Sequence, residues 1–209
     1  MIKHIWFDFG ETIAFTNEEV HNKLRYGSYA SVVGKSVSPE LIKEYEGLYQ
    51  KNHHSNAAVF RSLGLPSDYW SERMNSLRPD TLYKLAEDDV PQILDQLHAR
   101  LPISIFSNVR LDGVLSSLGI NSKWFTHILS AGMFKEPKPA LDGYYKIVEL
   151  SGIPAGEILY IGDSIEKDIL PAKKVGILAG FMWKDSVHAD YSFKSFKEIL
   201  DLVASQESQ

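Results

Sequence analysis

The chain has 209 residues, of which 44% are hydrophobic and 23% are charged, and its formal net charge at pH 7 is -5. This length suits one domain with a sizeable core, or one domain that carries a smaller insertion, and it is short for two full-sized domains. Because basic residues are not in excess, the composition does not favour nucleic acid as a partner. The chain has no cysteine, which excludes disulfides and thiolate metal sites and fits a reducing compartment.

Neither a membrane span nor an export signal is predicted. The longest apolar stretch, residues 175–183, is far too short to cross a bilayer. The first residues, MIKHIWFDFG, lack a basic region followed by a signal-type apolar core. We therefore expect a cytoplasmic protein that does not associate with membranes.

The first predicted element is a buried strand at residues 2–7, an apolar run with β-branched and aromatic residues. From about residue 15 to residue 89 no comparable run occurs, but residues 39–49 and 68–77 have helical patterns of apolar residues. This contrast predicts a helical insertion after the first strand.

From about residue 100 onward, strand patterns and helix patterns alternate. Further buried strands are predicted at residues 103–106, 125–129, 158–161 and 177–182, and helices at residues 111–118, 141–150, 165–175 and 193–203. Such alternation is typical of an α/β fold with a parallel, doubly wound sheet.

Polar residues directly follow four of the predicted strands. They are Asp8 after the first, Ser107 and Asn108 after the second, Lys135 and Lys138 after the third, and Asp163 with Asp168 after the fourth. Because the ligand crevice of an open parallel sheet lies at the carboxyl ends of its strands, we expect these residues to lie close together. Carboxylates from different strands can hold Mg²⁺, and a lysine, a hydroxyl and helix N-terminal amides can hold phosphate.

Four short motifs occur in order along the chain: DFGET, SIFSN, KPALDGYY and GDSIEKD. Together they resemble the motifs of the haloacid dehalogenase superfamily of hydrolases, and the similarity extends over nearly the whole chain to a closing segment at residues 189–191. The resemblance implies a Rossmann-like core made of residues 1–14 and 90–209. It also implies that residues 15–89 form a small helical cap that closes over the substrate.

The resemblance further implies a magnesium-dependent phosphomonoester hydrolase that acts on a small phosphorylated metabolite. In this pattern Asp8 attacks phosphorus and forms an aspartyl phosphate, which water then hydrolyses. The implied Mg²⁺ ligands are the side chains of Asp8 and Asp163 and the main-chain carbonyl of Gly10. Asp168 positions the lysine or the waters of the metal, and Thr12 orients the loop.

The implied phosphate ligands are Ser107, Asn108 and Lys138. Ser107 donates a hydrogen bond to a phosphate oxygen, Asn108 supports it, and Lys138 pairs with the phosphate and with the nucleophile. Lys135 competes with Lys138 for this role, but the spacing from Lys138 to Tyr144 resembles the family pattern better.

Gly10 departs from the family pattern, because phosphatases of this kind carry there a second Asp that protonates the leaving oxygen and later activates water. Glu11 follows one position late. Three explanations stay open: Glu11 acts as a longer surrogate acid, the leaving group needs little protonation, or turnover has been exchanged for binding. The last explanation makes a phosphate-binding regulator the alternative to an enzyme.

Other classes of protein agree less well with the motifs. In the family pattern a true dehalogenase lacks the paired magnesium acids, and a phosphomutase also requires the second Asp. A receiver domain is shorter and has no helical insertion after its first strand.

Within the insertion, several polar and aromatic residues could face a substrate, but no motif distinguishes them. They are His21, Arg25, Tyr26, Tyr29, His53, His54 and Arg61. The adjacent histidines are not predicted to share a metal, because neighbouring positions on a helix diverge. The sequence does not indicate an oligomeric state.

Overall fold

The computed structural model describes residues 1–130 and 133–207. Its strands are β1 (His4–Phe7), β2 (Ala14–Thr16), β3 (Tyr83–Leu85), β4 (Ile103–Phe106), β5 (Phe125–Leu129), β6 (Ile158–Gly162), β7 (Leu178–Met182) and β8 (Tyr191–Phe193). Six of them form a parallel sheet in the order β5-β4-β1-β6-β7-β8. The other two, β2 and β3, pair antiparallel with each other.

Helices connect these strands. They are α1 (Glu18–Val33), α2 (Pro39–Lys51), α3 (Asn56–Ser62), α4 (Tyr69–Asn75), α5 (Pro79–Leu82), α6 (Val90–His98), α7 (Val114–Ser117), α8 (Asp142–Ser151), α9 (Leu170–Lys174) and α10 (Phe196–Glu207). A π-helical turn at Ile165–Ile169 leads into α9. Among the described residues, no helix is long and apolar enough to cross a membrane.

Helices cover both faces of the six-stranded sheet. Successive strand residues point to opposite faces, so Phe7 and Trp6 of β1 belong to different cores. Phe7 stacks on Phe196 of α10 with ring centroids 5.9 Å apart, and the same core includes residues of α6. Trp6 lies in a second core with Tyr144 of α8 and Ala172 of α9. The predicted α/β fold, a Rossmann-like doubly wound parallel sheet, is therefore confirmed.

All five predicted strands occur in the sheet, two with the predicted ends and three with one end that differs by one or two residues. β8 is not among the predicted strands, because it is only three residues long and has serine at its centre. The last helix consequently begins at Phe196 rather than at the predicted residue 193. α6 was likewise not predicted.

Two predicted helices differ from the expected form. The helix expected at residues 111–118 forms only as α7, because Gly113 adopts the left-handed conformation with φ 72° directly before it. The helix expected at residues 165–175 divides into the π-helical turn and α9. Pro171, which has no backbone N–H, lies in the first turn of α9, where an N–H would not be needed.

The predicted helical insertion contains α1 to α5, and we call residues 18–82 the helical region. Its aromatic core centres on Tyr45, whose ring lies 5.3 Å from that of Tyr29 and 6.1 Å from that of Phe60. β2 leads the chain into this region and β3 leads it out, and their pairing holds the two connections together.

The sheet order places one crevice near β1. From β1 the chain proceeds to β4 and β5 on one side, and then crosses to β6, β7 and β8 on the other. Such a reversal separates the connections that leave neighbouring strands and opens a crevice at their carboxyl ends. The ends of β1, β4 and β6 are therefore the expected position of a ligand.

Candidate active site

The carboxyl ends of β1, β4 and β6 bring together several predicted site residues. The backbone N–H of Asp8 donates to the carbonyl of Ile161 at 2.8 Å, which extends the pairing of β1 with β6 as far as Asp8. The backbone N–H of Ser107 likewise donates to the carbonyl of Leu129 at 2.9 Å. Regular sheet hydrogen bonds thus fix the backbone at two of these positions.

Lys138 enters the same crevice from the loop between β5 and α8, and only 2% of its surface is exposed. Its ammonium lies 2.7 Å from Asp8 Oδ1 and 2.8 Å from Asp168 Oδ1. Burial opposes the charge of the ammonium, but Asp168 and Asp8 outweigh it and raise the pKa of Lys138. Lys138 is therefore charged and bridges carboxylates that follow two different strands.

Tyr160 completes the surroundings of this ammonium. The Lys138 Nζ donates to the Tyr160 hydroxyl at 2.9 Å and approaches the carbonyl of Phe106 at 3.3 Å. The Tyr160 hydroxyl in turn lies 3.1 Å from Asp168 Oδ1 and 3.3 Å from the Phe106 carbonyl. Because an ammonium has three N–H groups, Asp8, Asp168 and Tyr160 together engage all of them.

Asp168 is held by both carboxylate oxygens. Oδ1 accepts from Lys138, and Oδ2 accepts from the backbone N–H of Ser164 at 3.1 Å. A Cβ at Gly162 would lie 2.5 Å from the Asp168 carboxyl carbon, so only glycine permits this approach. The π-helical turn places Asp168 in the interior, with 1% exposure, rather than on a solvated first turn.

Asp163 differs from Asp168, because its carboxylate has no hydrogen-bond or ion-pair partner among residues 1–130 and 133–207. Oxygens of Asp8, Asp163 and Asp168 lie within 4.8 Å of one another. Burial, reinforced by Asp168 and Asp8, raises the pKa of Asp163 to about 8. Burial also raises the pKa of Asp8, although Lys138 opposes this.

When all three carboxylates are ionised, they and the one ammonium leave an excess of negative charge in a buried place, and this repulsion contributes to the raised pKa of Asp163. A divalent cation would relieve this excess and would fill the vacant coordination of the Asp163 oxygens. Oxygen ligands of this kind are what Mg²⁺ prefers. The cluster therefore fits the divalent metal that the motifs imply.

Asn108 and Ser107 lie beside Lys138. The Asn108 Oδ1 accepts from the backbone N–H of Lys138 at 2.8 Å, and its Nδ2 donates to the carbonyl of Lys138 at 3.1 Å. Both ends of the amide thus clamp the backbone of Lys138. The Ser107 hydroxyl accepts from the backbone N–H of Val109 at 3.2 Å and lines the cleft beside Asp8.

Lys135, the competing lysine, is exposed, and its ammonium is not among the groups around Asp8. Its carbonyl accepts a hydrogen bond from Arg61 of the helical region. Arg61 also forms an ion pair with Glu136 at 2.6 Å. Lys138 is therefore the lysine that contacts the carboxylates, whereas Lys135 contacts the helical region through its backbone carbonyl.

The loop after β1 contains the residue pair at which the chain departs from the family pattern. A Cβ at Gly10 would meet no described atom within 4 Å, and its backbone is outside the left-handed region. Glu11 is in that region, with φ 59°, and its Oε1 accepts from the backbone N–H of Thr16 at 2.9 Å. Its carbonyl accepts from the Trp183 indole at 2.7 Å.

Thr12 is fully buried, and its hydroxyl has no partner within the described part of the chain.

A cleft of about 390 Å³ extends from these groups to the helical region. α1 contributes Glu18, His21, Asn22 and Arg25 to its wall, and α4 contributes Trp70 and Met74. His21 and Arg25 are among the candidates from the sequence, which does not distinguish them from other polar residues, whereas Glu18 and Asn22 are not among those candidates. His21, Asn22 and Arg25 lie three, four and seven residues after Glu18. This spacing could have identified them as one face of a helix.

His53 and His54 lie outside the helices, each with φ 53°, and not on a helix as the argument against a shared metal assumed. Their Nδ1 atoms are 3.8 and 3.6 Å from Glu166 Oε2. They therefore contact the segment between Asp163 and Asp168 from the side of the helical region.

The chain also matches proteins of known family. The family model described as haloacid dehalogenase-like hydrolase matches residues 5–181. A glyceraldehyde 3-phosphate phosphatase of Methanocaldococcus jannaschii is 31% identical over 96 residues, which are 43% of this chain and 42% of that protein. The 5-amino-6-(5-phospho-D-ribitylamino)uracil phosphatase YigB of Escherichia coli is 34% identical over 95 residues, 44% of this chain and 39% of that protein. The matched segments thus span less than half of either relative.

Solved structures agree over almost the full length. A HAD phosphatase from Thermococcus onnurineus has a TM-score of 0.72 at 20% identity, covering 97% of this chain and 98% of that one. The HAD-hydrolase YfnB of Bacillus subtilis, bound to magnesium, has a TM-score of 0.64 at 15% identity with the same coverage. At these identities the likeness shows the fold alone. Together with the family model that matches residues 5–181, it shows that the chain belongs to the haloacid dehalogenase-like hydrolases.

Proposed function

We propose that this protein is a magnesium-dependent phosphatase that hydrolyses the phosphomonoester of a small metabolite through an aspartyl phosphate on Asp8. The single observation that carries the proposal is the Lys138 ammonium between Asp8 Oδ1 and Asp168 Oδ1, at 2.7 and 2.8 Å, at the inner end of an open cleft. Both curated relatives are named as phosphatases of phosphorylated small molecules, which supports the substrate class.

The proposed first step is attack by Asp8 on phosphorus. Lys138 holds Oδ1 of Asp8 and fixes the carboxylate, so the other oxygen is the one presented to the ester. A new bond forms between this oxygen and phosphorus, and the bond from phosphorus to the leaving oxygen breaks, so that this oxygen leaves with the electron pair and takes a proton from Glu11 or from water to become the alcohol. Ser107, which lines the cleft beside Asp8, is placed to donate to a phosphate oxygen.

In the second step water attacks the phosphorus of the aspartyl phosphate, which restores the Asp8 carboxylate and releases inorganic phosphate. Asp8, Asp163 and the carbonyl of Gly10 would hold Mg²⁺, while Asp168, with both oxygens engaged, positions Lys138. Bound Mg²⁺ supplies charge neutralisation for the transferring phosphoryl group.

The helical region would act as the cap, within the predicted bounds of residues 15–89. Arg61 contacts Glu136 and the carbonyl of Lys135, close in sequence to Lys138, and His54 contacts Glu166, close to Asp168. These contacts join the helical region to the loops that carry the carboxylate cluster, and they support the proposal that this region covers the cleft.

Gly10 favours one alternative, a phosphate-binding regulator with little turnover, because no side chain at this position can protonate the leaving oxygen. Glu11 lines the cleft and is the nearest replacement in sequence, although its Oε1 is engaged by Thr16. The proposed enzyme would therefore cleave aryl and acyl phosphates readily and alkyl phosphates more slowly.

The deciding experiment is phosphate release from a panel of aryl, acyl and alkyl phosphates, with Mg²⁺ and with a chelator in its place. We expect release only with Mg²⁺, and Asp163→Asn should require at least about tenfold more Mg²⁺ for half-maximal rate because a direct ligand is weakened. If no ester is hydrolysed while calorimetry detects inorganic phosphate binding, the regulator is correct and the enzyme is not.

A further inference from the structure

The face that α1 turns toward the cleft is polar. Glu18, His21, Asn22 and Arg25 line the cleft, at the spacing that places residues on one side of a helix. The neighbouring side packs into the core through Leu24. A polar helix face normally meets bulk water, so its presence on the wall of a cleft that ends at the carboxylate cluster indicates contact with a polar ligand.

Arg25 is held in place but keeps an unused donor. Its guanidinium carbon lies 4.7 Å from the ring centre of Tyr26 and 5.3 Å from that of Tyr49. Its Nη2 forms an ion pair with Glu46 at 2.9 Å. Its Nε is buried and has no hydrogen-bond partner in the described part of the chain. A buried donor of this kind is costly unless an acceptor reaches it.

His21 adds a neutral donor beside Arg25. The Tyr45 hydroxyl donates to Asn56 Oδ1 at 2.6 Å, so the Asn56 Nδ2, 3.3 Å from His21 Nε2, must be the donor there. This assigns the imidazole proton to Nδ1. Burial, helped by Arg25 and Lys167, lowers the pKa of His21 to about 4 and keeps the ring neutral.

Lys167 faces the cleft from the opposite side, on the π-helical turn. Within residues 1–130 and 133–207, no carboxylate lies within 4.0 Å of its ammonium. Lys167 and Arg25 are both close enough to His21 to affect its titration. Two cations therefore flank the part of the cleft next to the carboxylate cluster, and Lys167 has no ion-pair partner within 4.0 Å among the described residues.

We infer that the alcohol part of the substrate carries a second anionic group, a carboxylate or a second phosphate, which Arg25 and Lys167 bind while His21 donates through Nδ1. This inference rests on the proposed phosphatase function, since it names the class of ester that the same cleft accepts. Arg25 contributes a guanidinium on the cleft wall, and Lys167 contributes an ammonium with no carboxylate within 4.0 Å of it in the described part of the chain. The cleft volume of about 390 Å³ suits a molecule of metabolite size.

The test compares three esters of the same carbon length in the presence of Mg²⁺. They are 3-phosphoglycerate, which carries a carboxylate, 1,3-propanediol bisphosphate, which carries a second phosphate, and glycerol 3-phosphate, which carries a neutral hydroxymethyl group. We expect kcat/KM for at least one of the two esters that carry a second anionic group to exceed that for glycerol 3-phosphate by about tenfold or more, mainly through KM. The better of the two identifies the kind of anion.

Substitutions locate the preference. The preference is the ratio of kcat/KM for the better ester with a second anion to kcat/KM for glycerol 3-phosphate. Arg25→Met and Lys167→Met should each reduce this ratio about tenfold, whereas Arg25→Lys, which keeps the charge, should retain part of it. Lys23→Met is the matched control: Lys23 is exposed, lies on the other side of α1 and does not line the cleft, so the ratio should stay at the wild-type value. If Arg25→Met does not fold because Glu46 loses its partner, the inference is still tested by the ratio measured for Lys167→Met and by the comparison of the three esters with wild type.

The inference and the proposed function fail in different ways. If wild type hydrolyses an aryl phosphate but treats the three esters alike, the function stands and the second anion site is wrong. The same conclusion holds if both methionine variants slow all three esters equally. If wild type releases phosphate from no ester, including the aryl phosphate, the proposed function is wrong and the inference falls with it.

Discussion

The carboxylate cluster and the cleft-facing side of α1 border the same cleft, but their charges are compensated differently. In the cluster, the Lys138 ammonium has Asp8, Asp168 and Tyr160 as partners within 2.9 Å. On α1, the Arg25 Nε is buried without an acceptor in the described part of the chain. Lys138 and Asp168, which are already paired, hold Asp8 in the same position for any ester, whereas the side chains of α1 on the cleft wall would meet only the alcohol part of the ester. The first region should therefore determine the rate and the second the choice of substrate.

The largest effect is expected from Asp8→Asn, which removes the proposed nucleophile from the cluster while leaving α1 unchanged. The amide has nearly the same shape but is a poor nucleophile and a weaker Mg²⁺ ligand, so kcat for an aryl phosphate should fall by roughly 10³-fold or more. The fold, checked by circular dichroism, should be retained. Activity above a tenth of the wild-type value would show that chemistry does not depend on Asp8.

Lys138→Met tests whether the cluster depends on its central ammonium. The substitution leaves Asp8 and Asp168 as buried carboxylates without a counter-ion, and we expect activity to fall by about 10²–10³ and the free energy of unfolding by about 3 kcal/mol. Phosphate release and urea denaturation measure the two effects. Lys135→Met is the matched control, because Lys135 is exposed and away from the cluster. Equal losses in both variants would mean that the wrong lysine has been assigned.

Gly10→Asp tests whether the cluster lacks only an acid. The position has room for a Cβ and a backbone outside the left-handed region, so the variant should fold. We expect the rate for alkyl phosphates to rise by about 10–10² while that for aryl phosphates changes little, because general acid catalysis matters most for poor leaving groups.

The comparison variant is Glu11→Gln, measured with the same esters. If Glu11 is the surrogate acid, this variant should slow alkyl esters more than aryl esters. If both rates stay unchanged, the bond from Thr16 to Glu11 is structural and the leaving group takes its proton elsewhere.

Tyr160→Phe should have a smaller effect, since it removes one of three partners of the Lys138 ammonium and leaves both carboxylates. We expect kcat to fall by about threefold to tenfold with KM nearly unchanged, because one buried hydrogen-bond donor loses its acceptor. Steady-state kinetics on the aryl phosphate separates the two parameters. A change confined to KM would mean that the hydroxyl contacts substrate instead of positioning Lys138.

The last predicted effect concerns stability, its pH dependence and the neutral imidazole of α1. In the unfolded chain His21 binds a proton below about pH 6.5, whereas in the folded protein its pKa is lowered to about 4 by burial. Stability is therefore fully present above about pH 6.5 and is lost as pH falls toward 4. At pH 5.0 this should lower the free energy of unfolding by about 1–2 kcal/mol.

His21→Gln, which does not titrate, should lose less stability between pH 7.5 and pH 5.0 than wild type in urea denaturation. Burial lowers the pKa of His4 to about 4 as well, but it contributes equally to both proteins and cancels in the comparison. An identical pH dependence of the two proteins would show that the pKa of His21 is the same in the folded and in the unfolded chain.

The two regions also differ in how far the sequence could predict them. Residues such as Asp8 and Asp163 follow buried strands, and parallel strands necessarily bring such residues to one edge of the sheet. Lys138 could be preferred over Lys135 from its spacing to Tyr144. The strands themselves were predictable because their residues are buried on both faces, as in Ile158–Gly162.

The remaining features have no local signal. Tyr160 lies within a buried strand, so its sequence position predicts only a core residue. Its hydroxyl belongs to the site because Lys138, from a loop distant in sequence, donates a hydrogen bond to it. Arg25 and His21 read as the solvated face of a helix, since a sequence does not show that a cleft covers that face. Gly113 stopped a predicted helix through a left-handed backbone that glycine permits but does not require.

The central claim, phosphoryl transfer to Asp8, is tested most directly by quenching the reaction in acid during turnover of an aryl phosphate with Mg²⁺ and analysing the peptides by mass spectrometry. We expect a phosphoryl group on the peptide that contains Asp8, formed and lost at rates that account for phosphate release, and absent in Asp8→Asn. Phosphate release at the full rate without any phosphoryl group on Asp8, or with one on another residue, would contradict the account.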